Sequence, residues 1–329
     1  MTRAAAAMPD YHPPLDRDLL LADVAEMYYL GRMRQSEIAN IIGLTTSMVS
    51  RLLTEAHQRN MVDIHIRRPL QSDYGLETAL KEKFNLTTVS VVTVRNHEIT
   101  FLKYLGAAGA QTFKRYLSPG NTIGIAWGTT LSILADEFEI AAPIPTKLVE
   151  LVGAMGSSNS ENNGHGTIMR LAEKLGAEPY ILNAPFLCST ARIAQALLTD
   201  QILAKPLAMA QQAQIALLGA GSLEMPYATL FRYGYFSPEL IADLHRVGAV
   251  GNVCGLYFDI NGQEARADFC DRLITINKED LLSIPIRIGV VGGIDKAKPI
   301  LGALRGGYFN VLVTDNLTAK LVLEQAEKC

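Results

Sequence analysis

From Leu20 the apolar positions Leu20, Val24, Met27 and Tyr28 recur at helical spacing and predict an amphipathic helix ending near Gly31. A shorter helix follows over 35–43, in which Ile38 and Ile42 face inward and Ala39 is small enough for a neighbouring helix to approach. Gly43 supplies the left-handed turn that ends it. Thr45 is a good N-cap for a third helix from Thr46 to about Gln58, with Val49, Leu52, Leu53 and Ala56 as the buried stripe. Its opposite face is Thr46, Ser47, Ser50, Arg51 and Thr54. After Asn60, Val62, Ile64 and Ile66 alternate with Asp63, His65 and Arg67, which predicts a strand, one arm of a wing, stopped by Pro69.

Residues 70–86 read as a connecting linker, with a short helix from Tyr74 to Phe84 placed to lie at a dimer seam. Beyond it, β-branched runs alternate with helical patterns: Thr87 to Val94, Thr122 to Ala126, Lys147 to Val152, Gln214 to Leu218, Ile286 to Val291 and Asn310 to Thr314. Such alternation predicts a mostly parallel, Rossmann-like α/β sheet wrapped by helices. Several of these strands run into glycines, namely Gly128, Gly153, Gly219 and Gly292-Gly293, and open α/β sheets bind ligands at those strand ends. The organisation expected is a small all-α DNA-binding head over 1–69, with 1–15 disordered, the linker helix over 70–86, and an effector domain over 87–329.

Composition narrows the class. At 329 residues, 49% hydrophobic and 19% charged, the chain has room for two domains and is neither fibrous nor disordered. The cysteines Cys188, Cys254, Cys270 and Cys329 are far apart, so no disulfide framework or zinc site is suggested. The alanine run Ala4 to Ala7 is too short for a signal peptide, and no window reaches the ~18 apolar residues of a membrane span. A cytoplasmic protein with no membrane partner, metal or cofactor is expected. Net charge is −3, yet between Arg32 and Arg68 six arginines stand against Glu37, Glu55 and Asp63. The basic charge is therefore confined to the head.

A glycine-containing turn followed by a helix that exposes hydroxyls and arginine is a helix-turn-helix arrangement, whose last helix enters the major groove. Hydroxyls reach base edges and phosphates, and Arg51 can pair with guanine or bind phosphate. A three-helix scaffold with a polar solvent face would carry the same residues. In the large domain, Gly124 to Leu131 reads Gly-Ile-Ala-Trp-Gly-Thr-Thr-Leu, a strand-to-helix turn with the chemistry of a phosphate cradle. It has no P-loop lysine, and no G-x-G-x-x-G opens the first βα unit. The competing reading is a tight turn with Thr129 as an ordinary cap and Trp127 in the core. Lys296, after Gly292-Gly293, stands at a second such turn, within reach of an anion or simply solvated.

The order of parts resembles the SorC family of bacterial sugar-responsive transcription regulators from about Leu20 to Leu323. The stretches that carry the likeness are QSEIANIIGLTTSMVSRLL (35–53), GIAWGTTL (124–131), LNAPF (182–186), GAVGNVCGLYFDINGQ (248–263) and IGVVGGIDKAKPILGALRGGYFNVLVTD (288–315). The resemblance implies a helix-turn-helix joined to an effector domain with the sugar-phosphate isomerase and deaminase fold, assembled as a dimer or tetramer. It implies double-stranded operator DNA as one partner and a phosphorylated sugar or polyol as the effector. DNA contacts then fall on Gln35, Thr45, Thr46, Ser47, Ser50 and Arg51. Effector contacts fall on Gly128, Thr129, Thr130, Asn163, Arg232, Asn252 and Lys296. Two positions depart from the family. Asn252 stands where an acidic residue is usual, and its amide can donate and accept but cannot balance a cation. Arg34 replaces a Ser or Thr cap and cannot accept an N–H bond, so this helix start is expected to be weaker or to be capped by Ser36 instead.

Two other functions compete. An isomerase or deaminase needs a proton-transfer group beside the substrate carbon. The third strand ends Val149-Glu150-Leu151-Val152-Gly153-Ala154-Met155-Gly156, where alternation puts Glu150 off the tip and Val152 leaves no lysine for a Schiff base. No catalytic residue is expected. An assembly or sensing protein with a vestigial DNA domain is the third reading.

Overall fold

Short side chains at the helix starts and buried β-branched runs at the strands set the architecture. The computed structural model describes residues 16–63, 69–95, 101–155, 164–224, 231, 234 and 236–328. The body of the expected wing arm, 64–68, lies outside them. The chain separates into two compact units at the Pro69–Leu70 boundary.

In the first unit, α1 (Arg17–Ala25) is capped by Asp16, whose carboxylate accepts the Asp18 N–H at 2.8 Å. The helix runs on without a break and ends at Gly31, as the sequence predicts, but its last five residues, Glu26–Leu30, are wound as a π-helix, a wider turn that side-chain spacing alone does not reveal. α2 (Gln35–Ile42) ends on Gly43 at φ +71°. α3 (Thr46–Gln58) starts on Thr45, whose hydroxyl accepts the Met48 N–H at 3.3 Å. Arg34 occupies the N-cap of α2 without capping it. The stand-in is not Ser36: Glu37 reaches back and accepts the Arg34 N–H at 2.7 Å. Leu21, Val24, Ile38, Ile42, Val49, Leu52, Leu53 and Ala56 close the core of this unit. Each larger aliphatic among them contributes on the order of 1.5–3 kcal/mol by leaving water.

The second unit begins at Leu70, so the expected linker helix belongs to it. α4 (Tyr74–Phe84) buries Leu80 in the large core, and its Glu77 carboxylate accepts the Val91 N–H at 2.9 Å. Seven parallel strands follow: β1 (Thr88–Val92), β2 (Thr122–Ile125), β3 (Lys147–Glu150), β4 (Glu178–Tyr180), β5 (Ile215–Leu218), β9 (Ile286–Val290) and β10 (Val311–Asp315). Their order is β1-β10-β9-β5-β2-β3-β4. β6 (Gly221–Ser222), β7 (Gly251–Val253) and β8 (Leu256–Phe258) form a small antiparallel sheet in that order. The large sheet is flanked by α5 (Phe101–Lys114), α6 (Thr129–Glu137), α7 (Gly164–Leu175), α8 (Ala191–Leu198), α9 (Gln201–Gln211), α10 (Pro238–Arg246), α11 (Lys278–Ser283), α12 (Ala297–Arg305) and α13 (Asn316–Lys328). β10 is buried at all five positions, as a parallel strand covered on both faces requires. Successive connections run outward from β2 to β3 and β4 on one side, and from β5 to β9 and β10 on the other. The chain reverses direction between β2 and β5, which is where such sheets open a crevice.

Candidate functional site

A cavity of about 370 Å³ lies at that reversal. Its walls come from the residues just past three strands: Ala126, Trp127 and Gly128 after β2, Gly219 to Gly221 after β5, and Val291 and Gly292 after β9. Thr129, Thr130, Asn252 and Lys296 line the same space, so it gathers five effector positions read from the sequence: Gly128, Thr129, Thr130, Asn252 and Lys296. Asn163 and Arg232 lie outside the described residues. Gly153, the fourth glycine at a strand end, serves another purpose. A Cβ there would come within 2.8 Å of the Pro185 carbonyl oxygen, so it permits a close backbone crossing.

The cavity is built to present donors. Gly128 precedes α6 at φ +151°, a conformation that side chains resist, and no side chain caps the helix. The first-turn N–H groups of α6 therefore have no intrahelical acceptor and carry the positive end of the helix dipole. Lys296 sits at the other wall, largely buried, 3.5 Å from Asp295. Asp295 also lines the cavity and was not singled out from the sequence, although it stands beside Lys296 in the same turn. Gly293, at φ +112°, is held from behind: its N–H donates to Asp315 at 3.0 Å and to the Thr318 hydroxyl at 2.8 Å. Asp315 is fully buried and also takes the N–H groups of Leu317 and Thr318.

Asn252 is buried in β7 with its Oδ1 accepting the Gly255 N–H at 3.3 Å, leaving Nδ2 on the side of Gly221. Cys254 and Gly255, both at positive φ, form the tight turn from β7 to β8. Cys254 lines the cavity wall, and burial pushes its thiol pKa up to about 12. Phe101, from the first turn of α5, closes another side, and nothing in the local sequence marks it. Trp127 packs edge-on against Phe186 with ring centres 5.4 Å apart. Its indole N–H is buried without a hydrogen-bond partner.

Glu150 is not among the residues that line the cavity. It is 3% exposed, accepts the Leu182 N–H at 2.8 Å, and lies 2.6 Å from Nδ1 of His165 at the start of α7. Burial pushes this carboxyl above the ordinary carboxylate range. Among the described residues, no group of three His, Cys, Asp or Glu side chains is placed to hold a metal ion.

In the first unit Thr45, Thr46, Ser47, Ser50 and Arg51 are all exposed along the start of α3, while Gln35 is half-buried at the start of α2. Met48 joins that surface at 42% exposure. The Thr54 hydroxyl instead donates to the Ser50 carbonyl of its own helix. Not every arginine in the basic stretch is available. Arg59 pairs with Glu55 and Asp18, and Arg17 also pairs with Glu55. The hydrogen bond from Arg17 leads the forces that hold the Glu55 carboxyl below its usual range. His57 is tied to Tyr29, the ring nitrogen and phenol oxygen 2.6 Å apart.

Residues 68–324 match the family model described as "Putative sugar-binding domain". The deoxyribonucleoside regulator of Bacillus subtilis (strain 168) is 30% identical over 309 residues, covering 94% of this chain and 98% of that protein. The transcriptional regulator LsrR of Escherichia coli (strain K12) is 32% identical over 307 residues, covering 92% and 94%. The crystal structure of the full-length sorbitol operon regulator SorC from Klebsiella pneumoniae matches with a TM-score of 0.73 at 28% identity, covering 94% of this chain and 100% of that one. Among the described residues no helix is long and apolar enough to cross a membrane. The chain belongs to the SorC family of transcriptional regulators with a sugar-binding domain, and it is a regulator rather than an isomerase or deaminase.

Proposed function

We propose that this regulator reads double-stranded operator DNA with α3 and is controlled by a phosphorylated sugar or polyol held at the ends of β2, β5 and β9. The observation that carries this reading is the meeting of Gly128, Thr129, Thr130 and Lys296 around one cavity at the sheet reversal. The phosphate takes the N–H groups and hydroxyls at the start of α6, with Lys296 as its counter-charge. The sugar hydroxyls face Nδ2 of Asn252, a neutral donor that favours hydroxyl or carbonyl oxygens over cationic groups. Asn163 and Arg232 join them on the family resemblance.

On the DNA side, Thr45, Thr46, Ser47, Ser50 and Arg51 contact bases and phosphates, and Gln35 contacts the backbone beside them. The protein works in the cytoplasm as a homodimer or homotetramer, since paired half-sites call for paired heads. Effector binding shifts the balance between two assemblies, for which a difference of about 1–3 kcal/mol is enough.

A thermal-shift screen of phosphorylated and unphosphorylated sugars and polyols tests this directly, because a ligand that binds only the folded form raises its melting point. Phosphorylated compounds should raise it and should also change operator affinity in an anisotropy titration. Stabilisation by unphosphorylated sugars alone would refute the phosphate assignment, and no change in operator affinity would refute the coupling.

A further inference from the structure

We propose that Arg32 and Arg34 form a clamp on the DNA backbone: two guanidinium groups that hold phosphates beside the start of α2, outside the surface with which α3 reads bases. The clamp rests on α3 being the DNA helix and adds two contacts to it. Both arginines break a local rule. Arg32 has φ +54°, the left-handed backbone that a residue with a Cβ resists. Arg34 stands at the N-cap of α2, where Ser, Thr, Asp or Asn would bond a free N–H and an arginine cannot. Rules broken at two positions of one short turn, with no gain in contacts inside the head, mark a site kept for function at the expense of stability.

The surroundings give the partner. Five arginines stand in the described part of the head: Arg17, Arg32, Arg34, Arg51 and Arg59. Arg17 and Arg59 are held by Glu55 and Asp18, whereas Arg32 and Arg34 are exposed and share no ion pair with a described residue. Glu37, the nearest carboxylate along the chain, is turned to the Arg34 N–H. The turn itself is fixed. The Gly31 N–H donates to the Glu26 carbonyl at 2.8 Å, the Met33 N–H to the Met27 carbonyl at 3.1 Å, and the Met33 side chain packs on the head core. The two guanidinium groups therefore leave an anchored backbone on either side of a partly buried residue. In a helix-turn-helix the helix before the recognition helix crosses the phosphate backbone, and α2 starts directly after Arg34. A planar guanidinium without a carboxylate partner suits bidentate contact with a phosphate. Such contacts carry no sequence information, so the clamp adds affinity and orientation without choosing the operator.

The test uses the full-length protein and a duplex that the wild type selects from a random-sequence library, with fluorescence anisotropy over a salt series and melting curves to follow folding. Arg32→Gly relieves the left-handed strain and Arg34→Ser supplies a hydroxyl cap, so each should melt as high as wild type or higher. Each should nevertheless bind the duplex more weakly and lower the slope of log affinity against log salt by about 0.9, the share of one phosphate, with the double variant losing about twice that. The ranking of single-base substitutions in the duplex should stay that of wild type. Arg17→Ala removes the same charge from an ion pair and should keep the wild-type slope. Wild-type slopes in both arginine variants would overturn the proposal while leaving α3 as the reading helix. So would an equal drop in Arg17→Ala, which would make net charge rather than position the cause, or a changed base ranking, which would make these base contacts. If the wild type retains no duplex from the library, α3 is not a DNA-reading helix and the clamp falls with it.

Discussion

Oε1 of Glu150 lies 2.6 Å from Nδ1 of His165, and the carboxyl is sealed between that ring and the Leu182 N–H. Burial dominates and raises the pKa of Glu150, so the folded state holds its proton more tightly than the unfolded chain does. Stability from this group is therefore greatest below the ordinary carboxylate range and declines as pH rises through the elevated pKa, at about 1.4 kcal/mol for each unit of displacement. Glu150→Gln keeps an acceptor for Leu182 and removes the charge. The difference in melting temperature, wild type minus variant, should shrink between about pH 4 and about pH 7. A flat or rising difference would mean that the His165 contact outweighs burial and that the pKa is not raised.

Lys296→Ala and Thr130→Val each remove a donor facing the proposed phosphate position. Loss of a hydrogen bond to a charged group costs about 1.5–3 kcal/mol, so calorimetry should show roughly 10- to 150-fold weaker binding of the best sugar phosphate. The affinity of its unphosphorylated counterpart should hardly change. Equal losses for both compounds would place the phosphate elsewhere.

Arg51 and Arg59 should behave differently on DNA despite lying on the same helical segment. Arg59 is engaged by Glu55 and Asp18, whereas Arg51 is exposed. Arg51→Ala should lower the slope of log affinity against log salt by about 1 if it meets a phosphate, or relax one base position if it meets a base. Arg59→Ala should leave both unchanged in the same anisotropy titrations. A lower salt slope in Arg59→Ala would mean that its ion pairs open on the duplex.

Cys254 should be inert in the native protein. With its pKa pushed to about 12 the thiolate fraction near pH 8 is roughly one in ten thousand, and the side chain is 7% exposed. Alkylation followed by mass mapping should leave Cys254 unmodified until urea unfolds the chain. Rapid native labelling would mean that the β7–β8 turn opens.

The helix-turn-helix was legible because its signals are local: Gly43 for the turn, Thr45 for the cap, and Val49, Leu52, Leu53 and Ala56 for the buried face. Six strands were legible for the same reason, as short apolar runs alternating with helical patterns. β4 escaped because Pro179 sits in a three-residue, half-buried edge strand, and β6 to β8 because two or three residues with glycines carry no periodicity. The π-wound end of α1 escaped because its composition is that of any helix. At the cavity, Gly128, Thr129 and Thr130 could be picked out as a strand-to-helix turn, and Lys296 as a cation beside another. Asn252 was reached only through family likeness. Phe101 and Cys254 enter from elements distant in the chain, and only tertiary packing brings them in. In the connecting segment the helix Tyr74–Phe84 was legible to the residue, but Leu80 alone does not reveal that it packs with the second unit.

Asp315 makes one rim of the cavity stiff. It joins Gly293 on one side to the opening turn of α13 on the other, so the turn bearing Lys296 and the C-terminal helix share one buried carboxylate. At the proposed effector site, a ligand drawn to Lys296 meets a turn braced from behind by that helix.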